Sequence, residues 1–238
     1  MRPMSSGTLS VITPVFNEAD NLQIFINQLE KTLSNLNKEF EVIIVDDNSP
    51  DGSGAIADEL ARRYGNIRVF RRPSKMGLGT AYKEGFKHAT GDIVISIDCD
   101  LSHDPSYLPR LIDASKDSDI IVGSRFVKGG AIKGRTIGRN VLSVFANWFI
   151  RQLTGYHVLD WTSGLRVYRR NVLESVFPQV ACKKWDFQFE VLYKSLRSNF
   201  SVKEMPIIFK ERGGGRSKFD VNEALTFAKS VFQIYFNL

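Results

Sequence analysis

Apolar positions fall into two kinds of stretch that alternate along the first half of the chain. Short runs rich in β-branched residues occupy 9–13, 42–45, 67–70 and 120–122, and one more, 93–100, ends in two acids. Between them the apolar positions recur at helical spacing, as in Leu22, Phe25, Ile26, Leu29, Leu33 and Leu36. Further helices are expected at 53–64, where Ser53 is a natural cap, over a segment ending near Ala89, and from Asp104 or Pro105 onward. Apolar runs without alternation are what strands buried on both faces look like. Regular exchange of strand and helix predicts a doubly wound α/β domain, with a mostly parallel sheet, right-handed crossovers and helices on both faces.

After Gly123-Ser124-Arg125 the rhythm changes. Residues 127–138 are rich in Gly, Lys and Arg without periodicity and read as a mobile basic loop. A helix over 139–154, a strand over 165–168, a helix over 186–196 and a strand over 202–209 follow. A second Gly/basic loop at 210–218 then precedes a C-terminal helix from about 221. No repeat, low-complexity tract or long linker divides the chain, so a single domain is expected. The change of rhythm divides it into a first half, about 8–125, and a second half, about 126–238.

The helix at 139–154 carries an apolar stripe of Leu142, Phe145, Phe149 and Leu153, widened by Val141, Val144, Trp148 and Ile150. Asn140, Ser143, Asn147, Arg151 and Thr154 make a polar stripe opposite. Arginines at both ends and a Trp suit a helix lying in a membrane surface. A core-packing helix shows the same amphipathicity, so both readings stand. The C-terminal helix, with Phe227, Val231, Phe232, Tyr235 and Phe236, is ambiguous in the same way.

Charge narrows the partners. Lys and Arg outnumber acids 32 to 26, for a net charge of +6, which favours an anionic ligand. The basic loops lack the interleaved aromatics of single-strand binders, so nucleic acid is set aside. Cys99 and Cys182 form no framework, which points to reduced thiols in a cytoplasmic setting. No signal-peptide core opens the chain, and no run approaches the ~20 apolar residues needed to span a bilayer. Any membrane contact is therefore expected to be peripheral, on the cytosolic face.

Candidate chemistry sits at strand ends: residues 14–18, 46–51, 98–100 and 124–125. Open α/β sheets bind ligands outside the carboxyl ends of their strands. Asp98 and Asp100, two apart on a strand, would share a face and repel unless a cation lies between them. Mg²⁺ or Mn²⁺ suits such a pair, because these ions often take only one or two carboxylates plus substrate phosphates. Asp47 is placed to accept from a ribose hydroxyl or a base N–H. His103, next to the acids, reads as a hydrogen-bonding neighbour rather than a ligand, and His88 and His157 carry no signal.

Four blocks carry a resemblance: Pro14-Val15-Phe16-Asn17-Glu18, residues 45–52 (VDDNSPDG), residues 75–81 (KMGLGTA) and Asp98-Cys99-Asp100-Leu101-Ser102-His103. The chain resembles family 2 glycosyltransferases of the GT-A fold. The more specific matches lie downstream, at Gly123-Ser124-Arg125, Gly129-Gly130, Ser163-Gly164 and Gly215-Arg216-Ser217-Lys218. These are similar to members that glycosylate a dolichyl or other polyprenyl phosphate, and the likeness covers nearly the whole chain. The resemblance implies that Pro14, Phe16, Glu18, Val45 and Asp47 hold the nucleoside. It places Asp98, Cys99 and Asp100 at the diphosphate, with Asp100 and Ser102 nearest the metal. Phe16 stands where Tyr is frequent, Cys99 where Ala is common, and Ser102 where many members carry Gln.

Arg125, Arg139, Arg212 and Lys218 supply more positive charge than a diphosphate with its metal needs. Guanidinium groups suit phosphates bidentately. A polyprenyl phosphate, already anionic near neutral pH, needs no general base, only neutralisation and aim. The expected reaction is metal-dependent, inverting transfer of mannose from GDP-mannose to the lipid phosphate, with Arg125, Arg139 and Ser143 gripping that phosphate. The same chemistry with UDP-glucose, and a soluble enzyme with a hydroxyl acceptor, stay open. In the hydroxyl case Glu190 or Asp186 becomes the base; otherwise Glu190 holds a loop arginine, contacts sugar, or is an ion-paired structural acid. Participation of a membrane-anchored partner subunit is also open.

Overall fold

The computed structural model describes residues 7–181, 186–211 and 221–236. Strands β1 (Leu9–Val15), β2 (Phe40–Asp46), β3 (Ile67–Arg71), β4 (Ile93–Ser96), β5 (Ile120–Ser124), β7 (Arg166–Arg169) and β8 (Val202–Pro206) form one seven-stranded sheet. Its order is β3-β2-β1-β4-β7-β5-β8. All neighbours are parallel except β7, which runs antiparallel between β4 and β5. The expected doubly wound, mostly parallel sheet is therefore present.

Adjacent residues in the strand runs feed opposite layers. Val11, Val42, Ile44, Ile95, Ile121 and Val167 pack under helices α1 (Ala19–Ser34), α2 (Ser53–Tyr64) and α4 (Leu108–Ala114). Their neighbours Ile12, Ile43, Val45, Val94, Ile120, Val122 and Tyr168 face α3 (Leu78–His88), α6 (Arg170–Val176) and α7 (Phe187–Arg197). Side chains alternate along a strand, so a sheet covered on both faces needs apolar residues at consecutive positions. That is why these runs show no polar alternation.

Three expectations need correction. The run at 93–100 is strand only to Ser96; Ile97 makes one last ladder-like bond to Ile12, and Asp98 and Asp100 lie beyond the strand. Their placement therefore comes from a loop and not from strand alternation. Residues 202–209 are two strands, because at Ile207 the chain leaves the main sheet. Its second part, β9 (Ile208–Lys210), pairs in parallel with β6 (Ala131–Lys133). Residues 127–138, expected to be aperiodic loop throughout, thus contain a strand too short to show a period. Helix α6 was also absent from the sequence reading. The long helix α5 begins two residues earlier than expected, at Ile137, and ends at Thr154; α8 spans Val221–Phe236. Among the described residues no helix is long and apolar enough to cross a membrane.

Candidate active site

Because β1, β2, β4 and β5 run the same way, their C-terminal ends share one rim, and the chemistry-bearing loops leave from it. Three of these loops turn through a left-handed residue just past the strand: Asn17 at φ 60°, Asn48 at φ 57° and Leu101 at φ 62°. Asn tolerates this conformation, whereas for Leu it costs roughly 1–2 kcal/mol. The turn at Leu101 brings the Ser102 N–H and hydroxyl back onto Asp100 Oδ1, at 3.0 and 2.5 Å.

On the nucleotide side Phe16 is half-buried, with the Lys75 ammonium 4.2 Å from its ring centroid. The Val45 side chain lies in the core, so only its main chain, paired in register with Pro14, faces the rim. Asp47 is buried against Arg72: Arg72 Nε donates to Asp47 Oδ1 at 2.5 Å. The same guanidinium reaches Thr80 Oγ1 at 2.6 Å and the Gly77 carbonyl at 3.1 Å. Asp47 Oδ2 also accepts from the Met76 N–H at 3.3 Å. Asp47 thus organises the loop at 73–79 through Arg72, a residue the sequence reading passed over.

The acids after β4 are gripped separately. Asp98 Oδ1 accepts from the buried Tyr82 hydroxyl at 2.8 Å. Asp98 Oδ2 lies 4.0 Å from His103 Nδ1, and a Cβ on Gly164 would come within 2.8 Å of it. A side chain at 164 would displace this carboxylate, which ties the Ser163-Gly164 loop to it. Burial lowers the pKa of His103, against the pull of Asp98 and Asp100, so its imidazole is neutral near pH 7. Burial, followed by Glu18, Asp100 and Asp98, pushes the Cys99 thiol far up, so three carboxylates lie in electrostatic range of one point on the rim. Glu18 itself accepts from Asn21 Nδ2 at 2.9 Å.

Among the described residues no group of three or more His, Cys, Asp or Glu is placed to hold a metal ion. The oxygen donors of Asp100 and Ser102 instead fit a hard divalent ion held by one or two protein ligands, with the diphosphate completing its shell.

The arginines part company. Arg125 is buried and pairs with the fully buried Asp160, through Nε at 2.7 Å and Nη2 at 2.6 Å, and its backbone N–H donates to the same carboxylate at 2.9 Å. Nη2 also reaches Thr162 Oγ1 at 2.6 Å. Most of its donor capacity is therefore spent inside the protein. Arg139 stands at the start of α5 and bonds Glu211, which Arg135 also approaches at 3.2 Å. Ser143, one turn further on, is half-buried, and its carbonyl accepts from Asn147. Arg212 and Lys218 lie outside the described residues, as does Cys182. Glu190 is buried on α7: both of its oxygens accept from the Ala181 N–H, at 3.1 and 3.0 Å, and Lys194 Nζ is 2.7 Å away. Arg72, Tyr82, Arg135 and Glu211 escaped the sequence reading. Only Glu211, a lone acid at the edge of a basic loop, left a visible signal.

The family model for Glycosyl transferase family 2 matches residues 10–177. A polyprenol monophosphomannose synthase of Mycolicibacterium smegmatis is 38% identical over 224 residues, covering 90% of this chain and 83% of the relative. An undecaprenyl-phosphate mannosyltransferase of Micrococcus luteus is 34% identical, covering 87% and 85%. Among solved structures, a mannosyltransferase from Pyrobaculum calidifontis in complex with GDP-Man and Mn²⁺ superposes with a TM-score of 0.64 at 18% identity, covering 90% of this chain and 59% of that one. Glucosyl-3-phosphoglycerate synthase from Mycobacterium tuberculosis, bound to Mn²⁺, UDP-glucose and phosphoglyceric acid, gives 0.70 at 18% identity, covering 97% and 80%. These two likenesses concern the fold; the sequence matches go further, and the chain belongs to glycosyl transferase family 2.

Proposed function

We propose that the protein transfers mannose from GDP-mannose to a polyprenyl phosphate, with inversion at the anomeric carbon, while resting on the cytosolic surface of a membrane. The observation that carries this reading is the orientation of α5. Ile137, Val141, Val144, Phe145 and Trp148 are turned to solvent, while Asn147, on the nominally polar stripe, is buried. Asn147 Oδ1 accepts from the Trp161 N–H at 2.7 Å, which seats that side of the helix against the protein; Ile150 is buried with it, and Val141, Val144, Phe145 and Trp148 stay outside. Arg139 opens this same helix, so a guanidinium at the rim and a solvent-facing set of apolar side chains share one element. A lipid phosphate needs both. Phe232 and Phe236 of α8 are exposed as well, and the Phe149 and Phe232 rings lie 5.5 Å apart.

In the reaction, Phe16 and the Asp47–Arg72 pair shape the nucleoside pocket. Asp100 and Ser102 would hold a Mg²⁺ or Mn²⁺ ion, which supplies positive charge to the departing diphosphate. Asp98, fixed by Tyr82, borders the sugar side of that site. Arg139, with Ser143 a turn away, aims the acceptor phosphate, whose own oxygen is the nucleophile. That oxygen bonds the anomeric carbon as the bond to GDP breaks. The relatives named for polyprenol and undecaprenyl phosphates support this acceptor class, and the GDP-Man complex supports the donor.

The test is a matrix of GDP- and UDP-sugars against short polyprenyl phosphates, with Mg²⁺, Mn²⁺ or EDTA. Mannosyl transfer from GDP-mannose, lost with EDTA and reduced at least 10²-fold by Asp100→Asn, is expected. Transfer confined to water or free sugars would overturn the acceptor assignment.

A further inference from the structure

The arginines at the start of α5 already carry an anion, and it belongs to the chain itself. Glu211 Oε1 accepts from Arg139 Nη1, and Oε2 lies 3.2 Å from Arg135 Nε. The surrounding backbone builds this contact. Strands β6 and β9 pair with Lys133 beside Lys210, so the next residues, Gly134 and Glu211, meet at the end of the ribbon. The Glu211 N–H donates to the Lys133 carbonyl at 2.8 Å. A Cβ on Gly134 would lie 3.4 Å from that of Glu211.

Electrostatics explains why an acid is there. Burial pushes the Arg135 pKa down, Arg125 and Arg139 push the same way, and Glu211 opposes them. Three guanidinium groups gathered round Phe209 and the start of α5 repel one another, and among the described residues Asp160 and Glu211 are the carboxylates paired with them. Those carboxylates differ. Asp160 is fully buried and locked to Arg125 by three bonds, whereas Glu211 retains 20% side-chain exposure, beside Arg135 at 15% and Arg139 at 29%. Glu211 is the one that water can reclaim. A phosphate monoester brings nearly twice the charge of a carboxylate and three acceptor oxygens, so it outcompetes a carboxylate for the same two guanidinium groups.

We infer that Glu211 is a displaceable counter-ion: it occupies Arg135 and Arg139 until the phosphate of the acceptor takes its place, which makes Arg135 a second phosphate-binding residue of the acceptor site. The inference rests on the acceptor class proposed above. It adds a source of selectivity, because a neutral hydroxyl acceptor cannot evict the carboxylate and finds the site closed.

Glu211→Gln keeps the shape and removes the charge. We expect the acceptor KM for a short prenyl monophosphate to fall about tenfold, with the KM for GDP-mannose unchanged. Arg135→Gln is expected to raise the acceptor KM about tenfold, again sparing the donor. An unchanged or higher acceptor KM in Glu211→Gln would overturn the inference, since the carboxylate would then be positioning the arginines and not competing for them. Should that variant melt early, Glu211→Asp retains the charge but shortens the reach, and a smaller fall in acceptor KM is the expected result. Calorimetric titration of the donor-free protein with the prenyl monophosphate, its parent alcohol and inorganic phosphate separates the two claims. Tighter monophosphate binding in Glu211→Gln without transfer to any lipid phosphate would keep the displaced acid and reject the acceptor. Normal transfer with no tightening would do the reverse.

Discussion

At the scale of single residues, the buried Arg125–Asp160 pair carries a pH dependence of its own. Burial resists ionisation of Asp160, but the charge and hydrogen bonds of Arg125 outweigh it and hold the carboxyl below its usual range. A folded-state pKa below the unfolded value means that the pair stabilises fully above the unfolded Asp value of ~3.9. That stability is lost as pH falls through the lower, folded value, because the unfolded chain takes up the proton first. Asp160→Asn leaves Arg125 uncompensated and should cost about 3–5 kcal/mol, lowering the melting temperature by roughly 10 °C. Replacing both residues with apolar ones, Arg125→Met with Asp160→Leu, should recover most of that loss and flatten the acid limb of the melting profile below about pH 4. Melting curves from pH 3 to 7 decide the matter; an acid limb unchanged in the double variant would place the sensitivity elsewhere.

At the scale of elements, α5 explains which parts of the molecule were legible in the chain and which were not. Its period was plain, but periodicity says only that two faces differ, not which one meets the protein. Asn147 settled that through a bond to Trp161, fourteen residues away, which no local pattern announces. The strands behaved similarly. Runs such as 42–45 declared themselves because the sheet is covered on both faces. The insertion of antiparallel β7 between β4 and β5 depended on pairing between residues more than forty apart and left no local trace. The candidate site residues differ in the same way: Asp47, Asp98 and Asp100 follow apolar strand runs and stand out in the sequence, whereas Tyr82 lies within a helix, where nothing local sets it apart from core. The outward face of α5 carries its own prediction. Phe145 and Trp148 are 58% and 48% exposed, and burying each in lipid is worth about 2 kcal/mol. Phe145→Ser with Trp148→Ser should weaken vesicle binding on the order of 10²-fold or more while leaving transfer to a short, soluble prenyl phosphate within about twofold. Co-sedimentation with vesicles beside a soluble-acceptor assay measures both, and undiminished sedimentation would mean that this face does not meet the bilayer.

At the scale of the whole molecule, the described positive charge around the β6–β9 ribbon and the start of α5 falls into two sets that salt should tell apart. One set is exposed: Lys128, Lys133 and Lys210, the last two side by side on the β6–β9 ribbon. Like charges paired across strands are unfavourable in isolation, and an anionic surface relieves them. The other set, Arg125, Arg135 and Arg139, is largely shielded and engaged with Asp160 and Glu211. Mobile ions screen exposed charges over about 8 Å at physiological ionic strength and about 3 Å at 1 M, but reach shielded pairs far less. Raising salt should therefore release the protein from anionic vesicles well before it slows transfer to a short prenyl phosphate in solution. Vesicles without anionic lipid should bind more weakly and lose little further with salt, because exposed apolar side chains of α5 and α8 would then hold them. A parallel loss of attachment and soluble transfer on one salt curve would mean that a single cluster serves both tasks, contrary to the separation of exposed lysines from shielded arginines.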